Sequence, residues 1–259
     1  MTHRDRAPVG APCWADLSTS DVDGARRFYG ELLGWEAQEP SPEFGGYFMF
    51  HREGVPVVGA YGDMGGFPAD DSWRIYLAST DAEATVVSTA AHGGTVIVPT
   101  IPIADLGRQV ILTDPSGAAL GAWEADTFPG FTVLDEAGAP SWFELHTRAY
   151  SEALDFYRAV FGWSTQVVSE SEDFRYTTVI APADGTQLCG ILDAPWLPEG
   201  ASGQWTVYWE TADVDATAAD VARLGGVLVD GPADTPYGRI ATAADPSGAE
   251  FRLRTAPAD

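Results

Sequence analysis

Phe28-Tyr29-Gly30-Glu31-Leu32-Leu33-Gly34-Trp35 and Phe156-Tyr157-Arg158-Ala159-Val160-Phe161-Gly162-Trp163 are two versions of one phrase. Each sets apolar residues at helical spacing, then a Gly where a helix stops, then a Trp. The surroundings repeat as well. Pro12-Cys13-Trp14-Ala15-Asp16-Leu17 precedes the first copy, and Pro140-Ser141-Trp142-Phe143-Glu144-Leu145 precedes the second at the same distance. Downstream, Trp73-Arg74-Ile75-Tyr76 answers Trp205-Thr206-Val207-Tyr208, and Gly93-Gly94 answers Gly225-Gly226. Asp114-Pro115-Ser116-Gly117-Ala118 answers Asp245-Pro246-Ser247-Gly248-Ala249. Order, spacing and identity together mark a tandem repeat. The expected organisation is a first module over 10–126, a Gly/Pro-punctuated linker over 127–139, and a second module over 140–256.

Each module divides again. Residues 14–19 alternate and read as a strand. Asp21 is placed to cap a helix in which Ala25, Phe28, Tyr29, Leu32 and Leu33 recur at helical spacing, and Gly34 ends it. Short strands follow near Trp35, over 47–51 and over 55–61. The cycle restarts with a strand over 73–79, Asp81 as cap and a helix over 82–91. Strands over 95–98, 108–113 and 118–123 close it, with 114–117 as a turn. Module two repeats the plan, so the chain reads as four βαβββ units of class α+β. Phe28, Tyr29, Phe156 and Tyr157 read as core by their spacing.

Strand, Asp-capped helix with Phe-Tyr, Gly-Trp, and the later Asp-Pro-Ser-Gly turn resemble the vicinal-oxygen-chelate superfamily of glyoxalases, bleomycin-resistance proteins and extradiol dioxygenases. The resemblance covers nearly the whole chain. The tandem Trp-x-Asp/Glu-Leu strands are similar to two-module actinobacterial hydroxylase-like proteins. The resemblance implies two mixed sheets, each of eight strands curled into an open cup that holds the ligand and, in many members, a metal. It places the metal-ligand positions at Trp14, Arg74 and Gly121 in module one, and at Trp142, Thr206 and Arg252 in module two. None of these is a ligand for a divalent cation. No metal and no other cofactor is therefore expected.

Composition narrows the chemistry further. The formal charge is −24, spread along the chain, which disfavours nucleic-acid and membrane partners. No apolar run is long enough to span a bilayer, and no apolar stretch follows Arg4 and Arg6 as a secretory signal requires. Cys13 and Cys189 lack framework spacing, so they read as buried thiols in a reduced, cytoplasmic protein. The chain has no Lys and no Asn; all 14 basic residues are Arg. Schiff-base chemistry, a pyridoxal phosphate anchor and a P-loop lysine are excluded. His3 falls in an N-terminal arm that reads as unstructured. His92 reads as a helix end.

Strand parity selects what faces the cups. With Trp14 and Trp142 at the ligand positions that the resemblance implies, and so inward, cup one collects Trp14, Asp16, Arg74, Tyr76 and Trp123. Cup two collects Trp142, Glu144, His146, Tyr208, Glu210, Arg252 and Arg254. Glu144 with His146 is a candidate acid–base pair, since burial and a partner can tune the imidazole. The same cluster equally suits a network that only satisfies buried polar groups. Trp14, Asp16, Arg74, Tyr76, Trp123, Trp142, Tyr208, Glu210 and Arg252 are candidate substrate-binding residues. Arg74 is positioned to clamp an acidic oxygen or to pair with Asp16.

The expected partner is an aromatic small molecule, bound by a monomer or homodimer. Three functions fit. One is a metal-independent protein that binds and isomerises, cyclises, hydrates or hydroxylates an aromatic or polyketide-like compound. A second is a non-catalytic protein that sequesters a drug or metabolite. The third is a metal-dependent glyoxalase or dioxygenase, which the ligand positions disfavour.

Overall fold

A computed structural model of the protein describes residues 2–64, 68–171 and 174–256. Strand β1 (Thr2–His3) opens it. Module one follows as β2 (Pro12–Ser18), α1 (Val22–Leu33), β3 (Glu36–Ala37), β4 (Phe48–Arg52) and β5 (Val55–Tyr61). Then come β6 (Ser72–Ser79), α2 (Ala82–Ala91), β7 (Thr95–Ile103), β8 (Gly107–Thr113) and β9 (Ala119–Ala125). β10 (Val133–Leu134) lies in the connecting segment. Module two runs β11 (Pro140–Thr147), α3 (Tyr150–Phe161), β12 (Ser164–Glu170), β13 (Arg175–Ile180) and β14 (Gln187–Asp193). It ends with β15 (Gln204–Glu210), α4 (Val214–Arg223), β16 (Val227–Thr235), β17 (Gly238–Ala244) and β18 (Glu250–Thr255).

The two eight-stranded sheets have one order, β3-β4-β5-β2-β6-β9-β8-β7 and β12-β13-β14-β11-β15-β18-β17-β16. At each centre an antiparallel pair (β2 with β6, β11 with β15) is flanked by parallel neighbours. β5 runs parallel to β2, β9 to β6, β14 to β11 and β18 to β15. A βαβββ unit produces this, because its helix crossover returns the fourth strand parallel to the first. The architecture is α+β, with the four units that the repeats predict and the pair of mixed sheets that the resemblance implies. The helix punctuation matches too. Asp21 accepts a hydrogen bond from Gly24 N at 2.8 Å, Asp81 from Ala84 N at 2.9 Å, and Gly34 sits in the left-handed region at φ 71°. His92 is the C-cap of α2.

The repeated phrases turn out to bind the modules to each other. Tyr29 on α1 donates its hydroxyl to Asp245 in the second Asp-Pro-Ser-Gly turn (3.0 Å), and Tyr157 on α3 donates to Asp114 in the first (3.1 Å). Each aspartate's other oxygen accepts backbone N–H groups of its own turn, Ser116 and Ala118 in one, Ser247, Gly248 and Ala249 in the other. Trp35 donates to the Gly138 carbonyl and Trp163 to that of Gly10. A Cβ at Gly10 would lie 2.6 Å from the Phe161 carbonyl oxygen, and its φ of +75° independently requires glycine. Trp209 packs edge-on against Trp35 and Trp73, so one apolar core runs through both modules.

The N-terminal arm is ordered, contrary to its reading from sequence. Thr2 and His3 pair antiparallel with Leu134 and Val133. Arg4 then donates to the carbonyls of Phe131 and Pro12. Composition cannot signal this, because the partner strand lies more than 120 residues away.

Candidate functional site

Cup two encloses a cavity of about 900 Å³. Its floor is built by β11, β13, β15 and β18, which present Trp142, Glu144, Tyr176, Tyr208 and Arg252. Leu188, Leu192 and Ile240 supply apolar wall. The floor is one hydrogen-bonded web. Tyr208 donates its hydroxyl to Glu144 Oε2 (2.9 Å), and His146 Nε2 lies 2.6 Å from the same oxygen. Trp142 donates its indole N–H to the Tyr176 hydroxyl (3.0 Å), and Tyr176 in turn hydrogen-bonds Glu144. Arg252 donates to the Tyr208 hydroxyl (2.5 Å), stands over its ring, and comes within 3.8 Å of Glu144.

Charge follows from this geometry. Burial opposes ionisation of Glu144. The hydrogen bond and electrostatic pull of His146, the Arg252 guanidinium and the Tyr176 hydroxyl outweigh burial and bring the carboxyl down to about 2. Burial and the Glu144 charge push the Tyr208 phenol well above its ordinary range, against the pull of Arg252. Glu144 is therefore an ionised acceptor with donors converging on it, and Tyr208 stays protonated.

Cup one carries the corresponding residues packed against the connecting segment. Trp14 donates to Asp16 Oδ1 and to the Tyr47 hydroxyl (3.0 Å each), and Tyr47 donates to the same carboxylate oxygen (2.8 Å). Phe128 and Phe131 from the connecting segment pack on the Trp14 ring, at centroid distances of 4.8 and 5.2 Å. Trp123 donates its indole N–H to the Phe128 carbonyl. Trp14, Asp16, Tyr76 and Trp123 are all buried. Here burial dominates and pushes the Asp16 carboxyl up, with hydrogen bonds from Tyr76, Tyr47 and Trp14 and the charge of Arg74 only partly offsetting it.

A family model described as the Glyoxalase/Bleomycin resistance protein/Dioxygenase superfamily matches residues 140–253, and one described as a glyoxalase-like domain matches 14–121. The chain belongs to this superfamily. Relatives extend along its whole length. "Putative glyoxylase CFP32" of Mycobacterium tuberculosis is 36% identical over 267 residues, 99% of each chain. "Anthracycline biosynthesis protein DnrV" of Streptomyces peucetius is 34% identical over 278 residues, 96% of this chain and 94% of that one. Among solved structures, the Mn(II)-bound glyoxalase from Novosphingobium aromaticivorans superposes with a TM-score of 0.64 at 18% identity, covering 96% of this chain and 82% of that one. The last likeness is one of fold.

Superfamily members with a metal need several convergent donors, and the described residues do not supply them. The described residues contain no group of three or more His, Cys, Asp or Glu side chains that could hold a metal ion. In cup two, Glu144 and His146 are engaged with each other, and the Arg252 guanidinium opposes a cation beside them.

The structure brings together most of the residues that parity selects. Glu144, Trp142, Tyr208 and Arg252 line the cup-two cavity. His146 stands behind Glu144, buried, with its ring edge-on to Trp196 at 5.9 Å. Glu210 lies at the end of β15, where Oε1 accepts the Ala256 N–H (2.8 Å), outside the cavity lining. Arg74 neither pairs with Asp16 nor stands free. It donates to the Tyr61 hydroxyl (2.5 Å) and approaches Asp70. Tyr47 and Tyr176 were missed. Their signal is a glycine on the neighbouring antiparallel strand. A Cβ at Gly59 would lie 1.9 Å from the Tyr47 hydroxyl, and one at Gly190 would lie 2.1 Å from that of Tyr176.

Proposed function

We propose that cup two binds a flat, conjugated aromatic or polyketide-like small molecule without a resident metal, and that Glu144, Tyr208 and Arg252 move a proton on it. The observation that carries this is a cavity of about 900 Å³ whose floor joins aromatic rings to a carboxylate, a phenol and a guanidinium in one web. Rings and apolar wall favour a flat ligand. An ionised Glu144 accepts a proton from an enol or phenol, and Arg252 steadies the oxygen left negative. Tyr208, bonded to both, is placed to pass the proton on. His146 touches Glu144 and acts as a positioning residue. The 34% identity to a protein named for anthracycline biosynthesis supports a flat polycyclic ligand of that kind.

One observation favours the second reading, sequestration without turnover. A carboxyl held at about 2 is a weak base near neutrality. Both readings require the same ligand, so binding is tested first. Titration with a hydroxyanthraquinone is expected to quench Trp fluorescence with a micromolar or tighter Kd, and Trp142→Ala is expected to weaken it. If Trp142→Ala loses stability yet keeps affinity and quenching unchanged, Trp142 is core only and the proposed cavity chemistry is wrong. Conversion of the bound compound then separates the enzyme from the sequestering protein.

A further inference from the structure

Four of the 14 arginines, Arg4, Arg6, Arg252 and Arg254, line the cavity of a chain whose formal charge is −24. Arg252 is committed to Tyr208 and Glu144. The other three are held by neutral carbonyls. Arg254 donates from Nε to Tyr237 O (3.0 Å) and from Nη1 to Ser141 O (3.4 Å). Arg4 donates from Nε to Phe131 O (3.1 Å) and from Nη2 to Pro12 O (2.7 Å). Arg6 donates to Asp126 O (3.1 Å). A carbonyl anchor fixes a guanidinium without cancelling its charge.

The anchors share one end of the cavity. Ser141 starts β11, and Phe131 lies in the connecting segment just before β10, which pairs with the N-terminal arm. His146 sits towards the opposite end of β11. Asp135 also lines the arm end, and its charge acts on Arg4; that is one carboxylate facing three guanidiniums. Of the other lining carboxylates, Glu144 is on the floor and Asp184 is in the turn between β13 and β14. Among the lining residues this end therefore carries more cationic than anionic groups, on a chain that is acidic in sum.

We infer that the N-terminal arm and β18 form an anion subsite, and that the ligand of cup two is a flat conjugated acid whose carboxylate, or other ionised oxygen, sits beside Arg4 and Arg254. This rests on the proposal that cup two binds a flat conjugated molecule. A guanidinium fork takes a carboxylate through two N–H donors. The subsite joins the two ends of the chain: Arg4 and Arg6 precede the first module, and Arg254 is on the last strand of the second.

The test uses the full chain and two probes that differ at one group, anthraquinone-2-carboxylate and anthraquinone-2-carboxamide, titrated by Trp fluorescence at neutral pH. The carboxylate is expected to bind at least about tenfold tighter, the scale of a hydrogen bond to a charged group. In Arg254→Met and, separately, in Arg4→Met, the ratio of the two dissociation constants is expected to fall towards one, with circular dichroism confirming the fold. Equal binding of both probes to the wild type overturns the anion subsite and leaves the aromatic cavity standing. So does a ratio that survives both substitutions. Failure of both probes to bind overturns the cavity reading and the subsite with it.

Discussion

Asp16 and Glu144 stand at the same step of β2 and β11, each near an inward Trp, each hydrogen-bonded by a tyrosine from the next strand. Their acidities nevertheless move in opposite directions. Asp16 is hydrogen-bonded by the neutral donors Tyr76, Tyr47 and Trp14, and even with the charge of Arg74 they fall short of the burial cost. Glu144 has Arg252 where cup one has Gly121, and His146 where cup one has Ser18, and those partners win. The glycine is not idle: a Cβ at Gly121 would meet the Tyr76 ring at 2.1 Å, so cup one uses the space to seat a ring. Duplication supplied two equivalent strand frameworks. In one, Phe128 and Phe131 pack on the inward Trp14; the other lines a cavity of about 900 Å³ and carries Glu144, His146 and Arg252.

The sharpest way to break this contrast is by turnover. If cup two is catalytic, Glu144→Gln is expected to lower kcat by about 100-fold or more on a converted substrate, the usual scale for losing an acid–base group. Asp16→Asn is expected to change kcat by less than about twofold, since its carboxylate is buried and outside the cup-two cavity. Steady-state kinetics on both variants decides it. A larger loss in Asp16→Asn would move the chemistry to cup one.

Much of this was legible in the residues, and the limits have a physical cause. The duplicated Phe-Tyr, Gly-Trp and Asp-Pro-Ser-Gly phrases define the fold because they are periodic and local. Parity along β11 picks out Trp142 and Glu144 for the same reason. What closes cup one is Phe128 and Phe131, and they lie in a stretch that reads as a linker from its Gly and Pro content. Arg4 reaches the site through a strand pairing made across more than 120 residues. Arg74 chooses Tyr61 over Asp16 by side-chain geometry that strand spacing does not encode. Glu210 obeys the parity rule but sits past the end of the cavity, because parity gives the face and not the depth.

The contacts between modules offer a control in which the two halves should behave alike. Asp245→Ala would leave the Tyr29 hydroxyl and the N–H groups of Ser247, Gly248 and Ala249 without their acceptor. A cost of about 3 kcal/mol is expected in urea unfolding, and Asp114→Ala should match it within about 1 kcal/mol. A large difference would mean that the modules do not hold each other symmetrically.

Acidity separates the cups again. Glu144 falls from its ordinary 4.5 to about 2 in the folded chain, so its stabilisation is complete above about 4.5 and is lost as pH drops through about 2. Glu144→Gln should therefore be less stable than wild type near neutrality, by about 3 kcal/mol at most, with the gap closing in acid. Asp16 is raised, so folding favours its protonated form, and the wild type loses ground as pH rises through that folded value. Asp16→Asn should gain on wild type between acid and neutral pH. Stability curves that move in the same direction for both variants would contradict the opposed electrostatics.

The smallest effect tests the filling of cup one directly. Gly59 and Gly190 occupy matching places on β5 and β14, and a methyl at either would strike a phenol: the Tyr47 hydroxyl at 1.9 Å, with Asp16 Oδ1 at 2.2 Å, or the Tyr176 hydroxyl at 2.1 Å. Relief requires the ring to tilt. Tyr176 lines a cavity of about 900 Å³ and can tilt into it at the expense of its bonds to Trp142 and Glu144. Tyr47 is wedged between Asp16 and Trp14, and Trp14 is backed by Phe128 and Phe131. Overpacking a filled site strains its neighbours, whereas overpacking beside a void does so less. Gly59→Ala is thus expected to cost about 2 kcal/mol and Gly190→Ala about 1 kcal/mol in urea unfolding. Gly190→Ala should in addition weaken binding of the aromatic probes, because Tyr176 then takes up ligand space. Equal costs, with probe binding untouched in Gly190→Ala, would mean that the two interiors are packed alike and that the contrast between the cups is wrong.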